Sequence, residues 1–183
     1  MKIIKSKLSG VAEIESNPFV DHRGWFVRYF CQDQMRELNS GKEITQINSS
    51  FTKKKGTIRG LHFQNSPFCE DKIVRCLSGQ IFDVVLDLRF GSKTFGQWQS
   101  IILDSEKMNM IYIPKGFAHG FQTLTDNCQI LYLHTEYRNQ KSEDGYYYNS
   151  PYLDIGWPLE LTDISERDKN LKIFDESAKK IKL

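Results

Sequence analysis

The sequence has no long apolar run and almost no excess of charge of one sign. Its 183 residues include 25 Lys and Arg against 23 Asp and Glu, which gives a formal net charge of +2. A chain so close to neutrality lacks the basic surplus that is typical of dedicated nucleic-acid binders. It also lacks an apolar stretch long enough to cross a bilayer. We therefore expect a soluble globular protein with neither a nucleic-acid partner nor a membrane partner.

A secretory leader and a cysteine motif are also lacking. Residues 1–8 alternate apolar and basic side chains, whereas a signal peptide has a basic stretch followed by an apolar block. The four cysteines follow no CxxC spacing, and reduced thiols are their simplest interpretation in a chain without an export signal. They are Cys31, Cys69, Cys76 and Cys128. The expected compartment is the cytoplasm.

No linker or repeat divides the chain. Pro/Gly/Ser-rich segments, internal repeats and low-complexity stretches are absent, and only residues 177–183 shift toward a basic composition. The length fits one domain. We predict a single domain over residues 1–183 that ends in a solvated tail.

Short segments rich in β-branched and aromatic residues fill the middle of the chain. Turn signals such as Lys55-Gly56 and Ser78-Gly79 separate many of them. About nine strands at this spacing predict a β-sandwich or barrel. The segments are 25–30, 44–51, 57–64, 72–77, 81–88, 98–103, 110–113, 119–124 and 128–135. Because only 33–38 and a turn opening at Ser165 look helical, an all-β fold is favoured over α/β.

Two motifs resemble the signatures of the cupin superfamily, whose fold is a small jelly-roll β-barrel. The second motif, Pro-x-Gly-x-x-His, is intact from Pro114 to His119. The first reads His62-x-Gln64 where a metal-binding cupin has His-x-His, and Lys72 stands at the position of the carboxylate ligand. Because an ammonium group repels a divalent cation, we expect a barrel mouth without a metal and with positive charge.

Two histidines and a lysine at such a mouth suit proton transfer beside a carbonyl group. Histidine titrates near neutral pH and can remove a proton. A lysine ammonium can stabilise the negative oxygen of the enolate that forms. This acid–base chemistry needs no cofactor.

A series of motifs follows in order between Asp21 and Asp168. They are Asp21-x-Arg23-Gly24-x-Phe26, Gln46-x-Asn48-x-Ser50, RGLHFQ at 59–64, KIVR at 72–75, DVVLDLR at 83–89, IPKGFAHGF at 113–121 and IGWP at 155–158. Together they closely resemble the dTDP-4-dehydrorhamnose 3,5-epimerase family. The resemblance implies a cupin jelly-roll with a few short helices, mainly near the C-terminus. It implies an isomerase without cofactor or metal, acting on a nucleoside diphosphate 4-keto-6-deoxy sugar, in a homodimer that exchanges N-terminal strands.

The same resemblance assigns roles to individual residues. His62 is the base, Asp168 orients and charges it, and Lys72 faces the C4 oxygen of the sugar. Tyr137 is the acid on the opposite face of the ring, so that C3, C5 or both are inverted. Substrate and nucleotide contacts are assigned to Arg23, Phe26, Arg28, Gln46, Asn48, Arg59 and His119.

Several of these residues also have a structural interpretation. His119 follows a Pro-Gly turn and can equally hold the barrel mouth together. Ser165-x-x-Asp168 is also a capping-box pattern, in which the carboxylate serves a helix N-terminus. Tyr137 competes with the tyrosines at 146–148 for any role that needs a phenol. His22 and His134 have no partner pattern and are expected to be exposed or structural.

Two positions depart from the family pattern. Arg28 stands where many members carry a glutamate, and Glu70 stands where a glutamine is common. A glutamate can accept a hydrogen bond from thymine N3–H, whereas arginine can only donate. A CDP- or GDP-linked sugar is therefore an alternative to a dTDP-linked one.

Two other classes of protein remain as alternatives. A metal-dependent cupin oxygenase needs a bound ion, and Gln64 and Lys72 count against it. A sugar-binding cupin without catalysis is disfavoured by the joint presence of His62, Lys72 and Tyr137.

Overall fold

Strands make up most of the regular structure in this computed structural model, which describes residues 1–39 and 41–183. In chain order the strands are β1 Lys2–Lys5, β2 Ala12–Glu15, β3 Phe19–Asp21, β4 Gly24–Phe26, β5 Gln46–Thr52, β6 Thr57–Gln64, β7 Lys72–Ser78, β8 Gln80–Asp87, β9 Trp98–Asp104, β10 Met110–Ile113, β11 Phe117–Thr123, β12 Cys128–His134, β13 Glu143–Gly145 and β14 Asp163–Ile164. The helices are α1 Gln32–Asn39 and α2 Glu166–Lys169. Within the described residues, neither helix has the length and apolar character needed to span a membrane.

Two large sheets and one small hairpin organise these strands. The first sheet has the order β1-β2-β10-β7-β12-β5, and all of its pairings are antiparallel. The second has the order β13-β6-β11-β8-β9, with β14 parallel to β6. β3 and β4 form a hairpin of their own. The all-β jelly-roll prediction is confirmed.

The main core lies between the two large sheets. Val74 and Ile130 of the first sheet belong to the same buried cluster as Ile81 and Val85 of the second. On the other face of β8, Leu86 packs in a second cluster with residues of the C-terminal segment. Because β8 is covered on both faces, most of its residues are apolar, and apolar and polar residues do not alternate along it.

Most of the predicted strands are observed, and the differences lie at the two ends of the chain. The segment 57–64 coincides with β6, whereas 25–30 contains only the end of β4. The N-terminal strands β1 and β2 were not predicted, because each has only four residues and the pattern is too short to distinguish.

The prediction of a solvated tail was wrong for Ile181. Its side chain is buried in the apolar cluster that covers β8, and its backbone exchanges hydrogen bonds with Leu88 and Phe90. The lysine beside it, Lys182, lies over the ring of Phe90. An isolated apolar residue among lysines therefore fixes the end of the chain to the barrel.

Two glycines allow β6 and β11 to approach closely beside the cavity. His62 of β6 faces His119 of β11 in the register, and the pairing becomes irregular between His119 and Phe121. A Cβ atom on Gly120 would lie 2.7 Å from the carbonyl oxygen of Arg59. A Cβ on Gly60 would lie 2.6 Å from the Cα of Gly120. No side chain fits between these backbones.

We expect Gly120→Ala to lower the free energy of unfolding by about 1–3 kcal/mol, the range for overpacked sites. The added methyl group must push apart the strands that carry His62 and His119. Gly156→Ala is the matched control, because none of the described residues has a side-chain or backbone atom within 4 Å of its added Cβ, apart from its neighbours in the chain. We expect the control to change the stability by less than about 0.5 kcal/mol in equilibrium urea unfolding. Equal stabilities of the two variants would contradict the close approach.

Candidate active site

A cavity of about 580 Å³ lies between the two large sheets and is lined mainly by polar side chains. Its wall combines residues of β5, β7 and β12 with residues of β6 and β11 and the segment 163–168. Among the predicted site residues, the lining contains Gln46, Asn48, Arg59, His62, Lys72, His119 and Asp168. The structure therefore brings together seven of the eleven residues that the sequence assigned.

The predicted base and its carboxylate are in direct contact. His62 Nε2 lies 2.6 Å from Asp168 Oδ1, and the other carboxylate oxygen accepts a hydrogen bond from the backbone N–H of Gly60 at 3.1 Å. Burial raises the pKa of Asp168, but the hydrogen bond and the charge of His62 bring it below the ordinary value. Asp168 is thus an ionised partner for the imidazole.

The capping alternative for Asp168 turns out to be compatible with this contact. Ser165 is the N-cap of α2, and its hydroxyl accepts a hydrogen bond from the backbone N–H of Asp168 at 3.1 Å. The cap therefore uses the backbone of Asp168, which leaves both oxygens of its side chain for His62 and Gly60.

Lys72 begins β7 and is held by a carboxylate at the cavity wall. Its Nζ lies 2.7 Å from Glu70 Oε1, and only 12% of the lysine side chain is exposed. Glu70 Oε2 accepts a hydrogen bond from Gln64 Nε2 at 2.8 Å. Burial alone would raise the pKa of Glu70, but Lys72 and His134 lower it to about 2. The wall at this point is an ion pair and not a lone cation.

A second histidine–carboxylate pair lies deeper in the barrel. His119 Nε2 lies 2.7 Å from Asp83 Oδ2, and the Asp83 side chain is fully buried. Burial raises the pKa of Asp83, and the charges of His119 and Lys72 oppose this rise. His119 therefore lines the cavity and also connects β11 to β8 through Asp83, so its position is compatible with both predicted roles.

The phenol in the cavity is Tyr132 and not Tyr137. Tyr137 lies three residues beyond the end of β12, with 65% of its surface exposed, and it is not part of the cavity lining. Tyr132 lies inside β12, lines the cavity, and its hydroxyl is 2.9 Å from Ser50 Oγ. Burial raises the pKa of Tyr132 to about 12. The assignment to Tyr137 therefore does not fit the geometry.

The alternation of β12 could have revealed Tyr132. In a strand, every second side chain faces the same side of the sheet. Leu131 and Leu133 pack on the outer face of the first sheet, so Tyr132 and His134 face the barrel interior. His134 also lines the cavity and is largely buried, so of its two expected positions, exposed or structural, the exposed one was wrong.

Polar contacts fix two of the predicted binding residues. Arg59 donates from Nε to Thr52 Oγ1 at 3.0 Å and from Nη2 to the carbonyl of Phe51 at 3.1 Å. Gln46 Oε1 accepts a hydrogen bond from the backbone N–H of Arg138 at 3.1 Å. The C-terminal end of β5 thus positions Arg59, and the segment after β12 positions Gln46, the first residue of β5.

An ion-pair network that the sequence did not reveal lies at the rim of the cavity. Arg138 Nε lies 2.7 Å from Glu143 Oε1, and Arg167 Nη1 lies 3.1 Å from Glu143 Oε2. All three residues line the cavity. Glu143 therefore joins the segment after β12 to the helix that carries Asp168.

Three predicted nucleotide contacts lie outside this cavity. Arg23 forms an ion pair with Asp21 at 2.6 Å on the β3–β4 hairpin, and Phe26 is 71% exposed. Arg28 lines a separate cavity of about 220 Å³ together with Phe19 and Phe26. Within one subunit, the hairpin does not bring these side chains to His62.

The described residues contain no cluster of three or more His, Cys, Asp or Glu side chains that could hold a metal ion. Three buried carboxylates at or behind the cavity wall are each engaged by a histidine or a lysine: Asp83, Asp168 and Glu70. The donor set of the cavity is thus arranged as acid–base pairs.

Comparisons with known proteins agree with one another. A family model described as dTDP-4-dehydrorhamnose 3,5-epimerase matches residues 5–176. The protein of that name from Salmonella typhimurium is 37% identical over 179 residues, which cover 97% of each chain. A crystal structure of dTDP-6-deoxy-D-glucose-3,5-epimerase from Legionella pneumophila, in complex with dTDP-4-keto-L-rhamnose, has a TM-score of 0.89 and 38% identity, covering 94% of this chain and 92% of that one.

A second similar structure is a double mutant of a 3'-monoepimerase from Streptomyces bikiniensis in complex with dTDP. In it, one histidine is replaced by asparagine and one tyrosine by phenylalanine. Its TM-score is 0.85 at 28% identity, covering 92% of this chain and 85% of that one.

We expect the stability difference between the wild type and Glu70→Gln to depend on pH. Because the pKa of Glu70 in the folded state, about 2, lies below its ordinary value of 4.5, the ionised carboxylate stabilises the fold above pH 4.5. This contribution, about 3 kcal/mol from the size of the shift, is lost as the pH falls from about 4.5 toward 2. Equilibrium urea unfolding at pH 7, 5 and 3 measures it.

The control is Glu176→Gln, which changes an exposed carboxylate. Its difference from the wild type should be small and independent of pH. A Glu70→Gln difference that stays constant from pH 7 to pH 3 would show that Glu70 does not gain stability from its ionised form.

Proposed function

Because the chain belongs to the dTDP-4-dehydrorhamnose 3,5-epimerase family and is thus an enzyme of the isomerase class, we propose that it inverts C3, C5 or both of a dTDP-linked 4-keto-6-deoxy sugar. One observation carries the proposal: a histidine–carboxylate pair, a lysine and a phenol all line the same cavity. These are the groups that proton removal, enolate stabilisation and proton delivery require.

His62 is the base in this proposal. A proton on a carbon next to a ketone is removable because the resulting charge is delocalised onto the carbonyl oxygen. Asp168 holds Nε2 of the imidazole at 2.6 Å, which leaves the other ring nitrogen to take the proton from the sugar. The ionised carboxylate then stabilises the imidazolium that forms.

Lys72 stabilises the enolate oxygen. Its ammonium is nearly buried and is oriented by Glu70, so it acts in a region where water screens charge poorly. Fixed donors aimed at a developing negative charge are among the strongest contributions to catalysis. None of these proposed proton transfers needs a cofactor or a metal.

Tyr132 is the acid that completes the inversion. It lies on the sheet opposite to the one that carries His62, as delivery to the other face of the sugar ring requires. Its pKa of about 12 keeps the phenol protonated at neutral pH. In the Streptomyces bikiniensis mutant the replaced histidine and tyrosine are 70 positions apart, the same separation as His62 and Tyr132.

We expect His62→Ala to abolish deuterium exchange at C3 and C5 in D2O, losing about 10²–10⁴-fold or more in rate. Tyr132→Phe should reduce inversion more than exchange, because the base still removes the proton while delivery from the other face is lost. NMR of a dTDP-4-keto-6-deoxy sugar incubated in D2O with excess EDTA measures both. The positions that gain deuterium also distinguish inversion at C3, at C5 and at both.

Tyr137→Phe is the matched control, since this phenol is exposed outside the cavity. It should exchange and invert at wild-type rates. A larger loss in Tyr137→Phe than in Tyr132→Phe would restore the sequence-based assignment. Loss of wild-type turnover in EDTA, reversed by one metal, would replace the metal-free mechanism with that of a metal-dependent cupin.

The nucleotide contacts come from a second subunit in this proposal. The β3–β4 hairpin exposes Phe19, Val20, Trp25 and Phe26, each with more than half of its surface accessible. An apolar surface of this kind on a small hairpin is typical of a protein–protein contact. Exchange of the hairpin between the subunits of a homodimer would bring Arg23 and Phe26 to the partner's cavity. It would also bring Arg28, on which the alternative of a CDP- or GDP-linked substrate rests.

Mixed dimers of two inactive variants test this exchange. His62→Ala and Arg23→Ala change groups that would meet only across the dimer, so one site of each mixed dimer has both groups intact. Co-expression should restore about a quarter of the wild-type activity, since half of the dimers are mixed. His62→Ala with Lys72→Ala is the control, because these residues share one cavity and no intact site can form. Equal activity of the two mixtures would contradict the exchange.

A further inference from the structure

Three histidines line the cavity, and each faces a buried carboxylate. His62 pairs with Asp168 at 2.6 Å, and His119 pairs with Asp83 at 2.7 Å. The third pair is His134 with Glu70, in which Nδ1 lies 3.4 Å from Oε2. The mechanism proposed above uses the first pair together with Lys72 and Tyr132, but it gives His134 no task.

The ring of His134 is held in a fixed orientation. It stacks on Tyr132 with ring centroids 6.1 Å apart and an angle of 25° between the planes. In the sheet, His134 is directly opposite Lys72 on β7 and Gln46 on β5. Only 13% of its side chain is exposed. The stacking and the burial restrict the rotation of this ring, which is unusual for a histidine at a protein surface.

The two ring nitrogens of His134 have different surroundings. Nδ1 is buried and lies 3.4 Å from Glu70 Oε2, a charge contact that does not have the geometry of a hydrogen bond. Nε2 has no hydrogen bond to any of the described residues, and the ring lines the cavity. A carboxylate that faces one nitrogen favours the proton on that nitrogen and leaves the other available to a ligand.

Glu70 links this ring to the lysine of the proposed mechanism. Its Oε1 contacts Lys72 Nζ at 2.7 Å, and its Oε2 faces His134 Nδ1. Because both groups face one carboxylate and are opposite each other in the β7–β12 register, they face the same part of a bound ligand. In the proposed function, Lys72 faces the sugar ketone, so His134 faces the sugar and not the nucleotide.

We propose that His134 is a further substrate-binding residue, oriented by Glu70, whose Nε2 forms a hydrogen bond with a sugar oxygen beside the one that faces Lys72. Glu70 is a positioning residue that serves both side chains. This inference rests on the proposed function, because it needs the sugar of the nucleotide substrate to lie between His62 and Tyr132.

Two amide substitutions separate the two nitrogens of His134. The side-chain NH2 of asparagine lies near the position of Nδ1, so His134→Asn keeps a donor toward Glu70 and removes Nε2. The longer glutamine places its amide near the position of Nε2, so His134→Gln keeps the group that faces the cavity. A difference between the two variants reports on Nε2 and not on the loss of an aromatic ring.

Calorimetric titration with dTDP and with dTDP-L-rhamnose tests the proposal. We expect His134→Asn to weaken the binding of dTDP-L-rhamnose by about 3- to 10-fold, the range for one hydrogen bond, and to leave dTDP binding within about 2-fold. His134→Gln should recover most of the lost affinity. Unchanged dTDP binding also reports that each variant is folded.

Three outcomes would overturn the inference. Unchanged binding of dTDP-L-rhamnose by His134→Asn would mean that Nε2 makes no contact with the sugar. Equal weakening of both ligands would assign His134 a structural role. Failure of His134→Gln to recover affinity would mean that the position of Nε2 is not what matters.

Deuterium exchange by the wild type separates these failures from a failure of the proposed function. If the wild type exchanges deuterium with a dTDP-4-keto-6-deoxy sugar, the proposed function stands and the binding results decide the role of His134. If the wild type neither exchanges nor binds the sugar nucleotide, both proposals fail together.

Discussion

The carboxylate of Asp168 holds the site together, because it ties the C-terminal segment to the barrel at two points. One oxygen binds the imidazole of His62, and the other binds the backbone of Gly60, two residues earlier in the same strand. The short helix that carries Asp168 follows β14, which pairs with the beginning of β6. The same carboxylate therefore orients the proposed base and holds the segment from β14 to α2 against β6.

Buried charge in the cavity is organised as pairs, and this pairing explains how a barrel core tolerates it. A lone buried ion loses several kcal/mol of hydration, whereas a paired and hydrogen-bonded one recovers much of that loss. The buried carboxylates of Asp168, Asp83 and Glu70 each have a cationic or ionisable partner, and Glu70 has two of them, Lys72 and His134. Removal of one member of a pair therefore leaves the other buried without a partner. The polar residues of the lining thus contribute to the stability of the fold as well as to the chemistry of the site.

Local patterns predicted the strands of the barrel and the side chains inside its motifs, but not contacts between distant segments. β6 was predicted residue by residue because its turn signals are strong, and His62 and Lys72 lie at recognisable motif positions. Tyr132 was missed because the resemblance assigned the phenol to Tyr137, and the alternation of side chains along β12 was not used. Ile181 was missed because a single apolar residue in a basic tail carries no periodicity, although its tertiary contacts bury it.

The location of Glu143 means that the rim and the interior of the cavity respond differently to ionic strength. Arg138 and Arg167, which bind Glu143 from two sides, have about half or more of their side-chain surface in solvent. Dissolved salt screens exposed pairs of this kind within about 8–10 Å, but it hardly reaches pairs that are closed off from water. Concentrated salt would therefore loosen the connection between the segment after β12 and α2 while the three inner histidine–carboxylate pairs stay in place. The entrance of the cavity is an electrolyte-sensitive part of the molecule, and its interior is not.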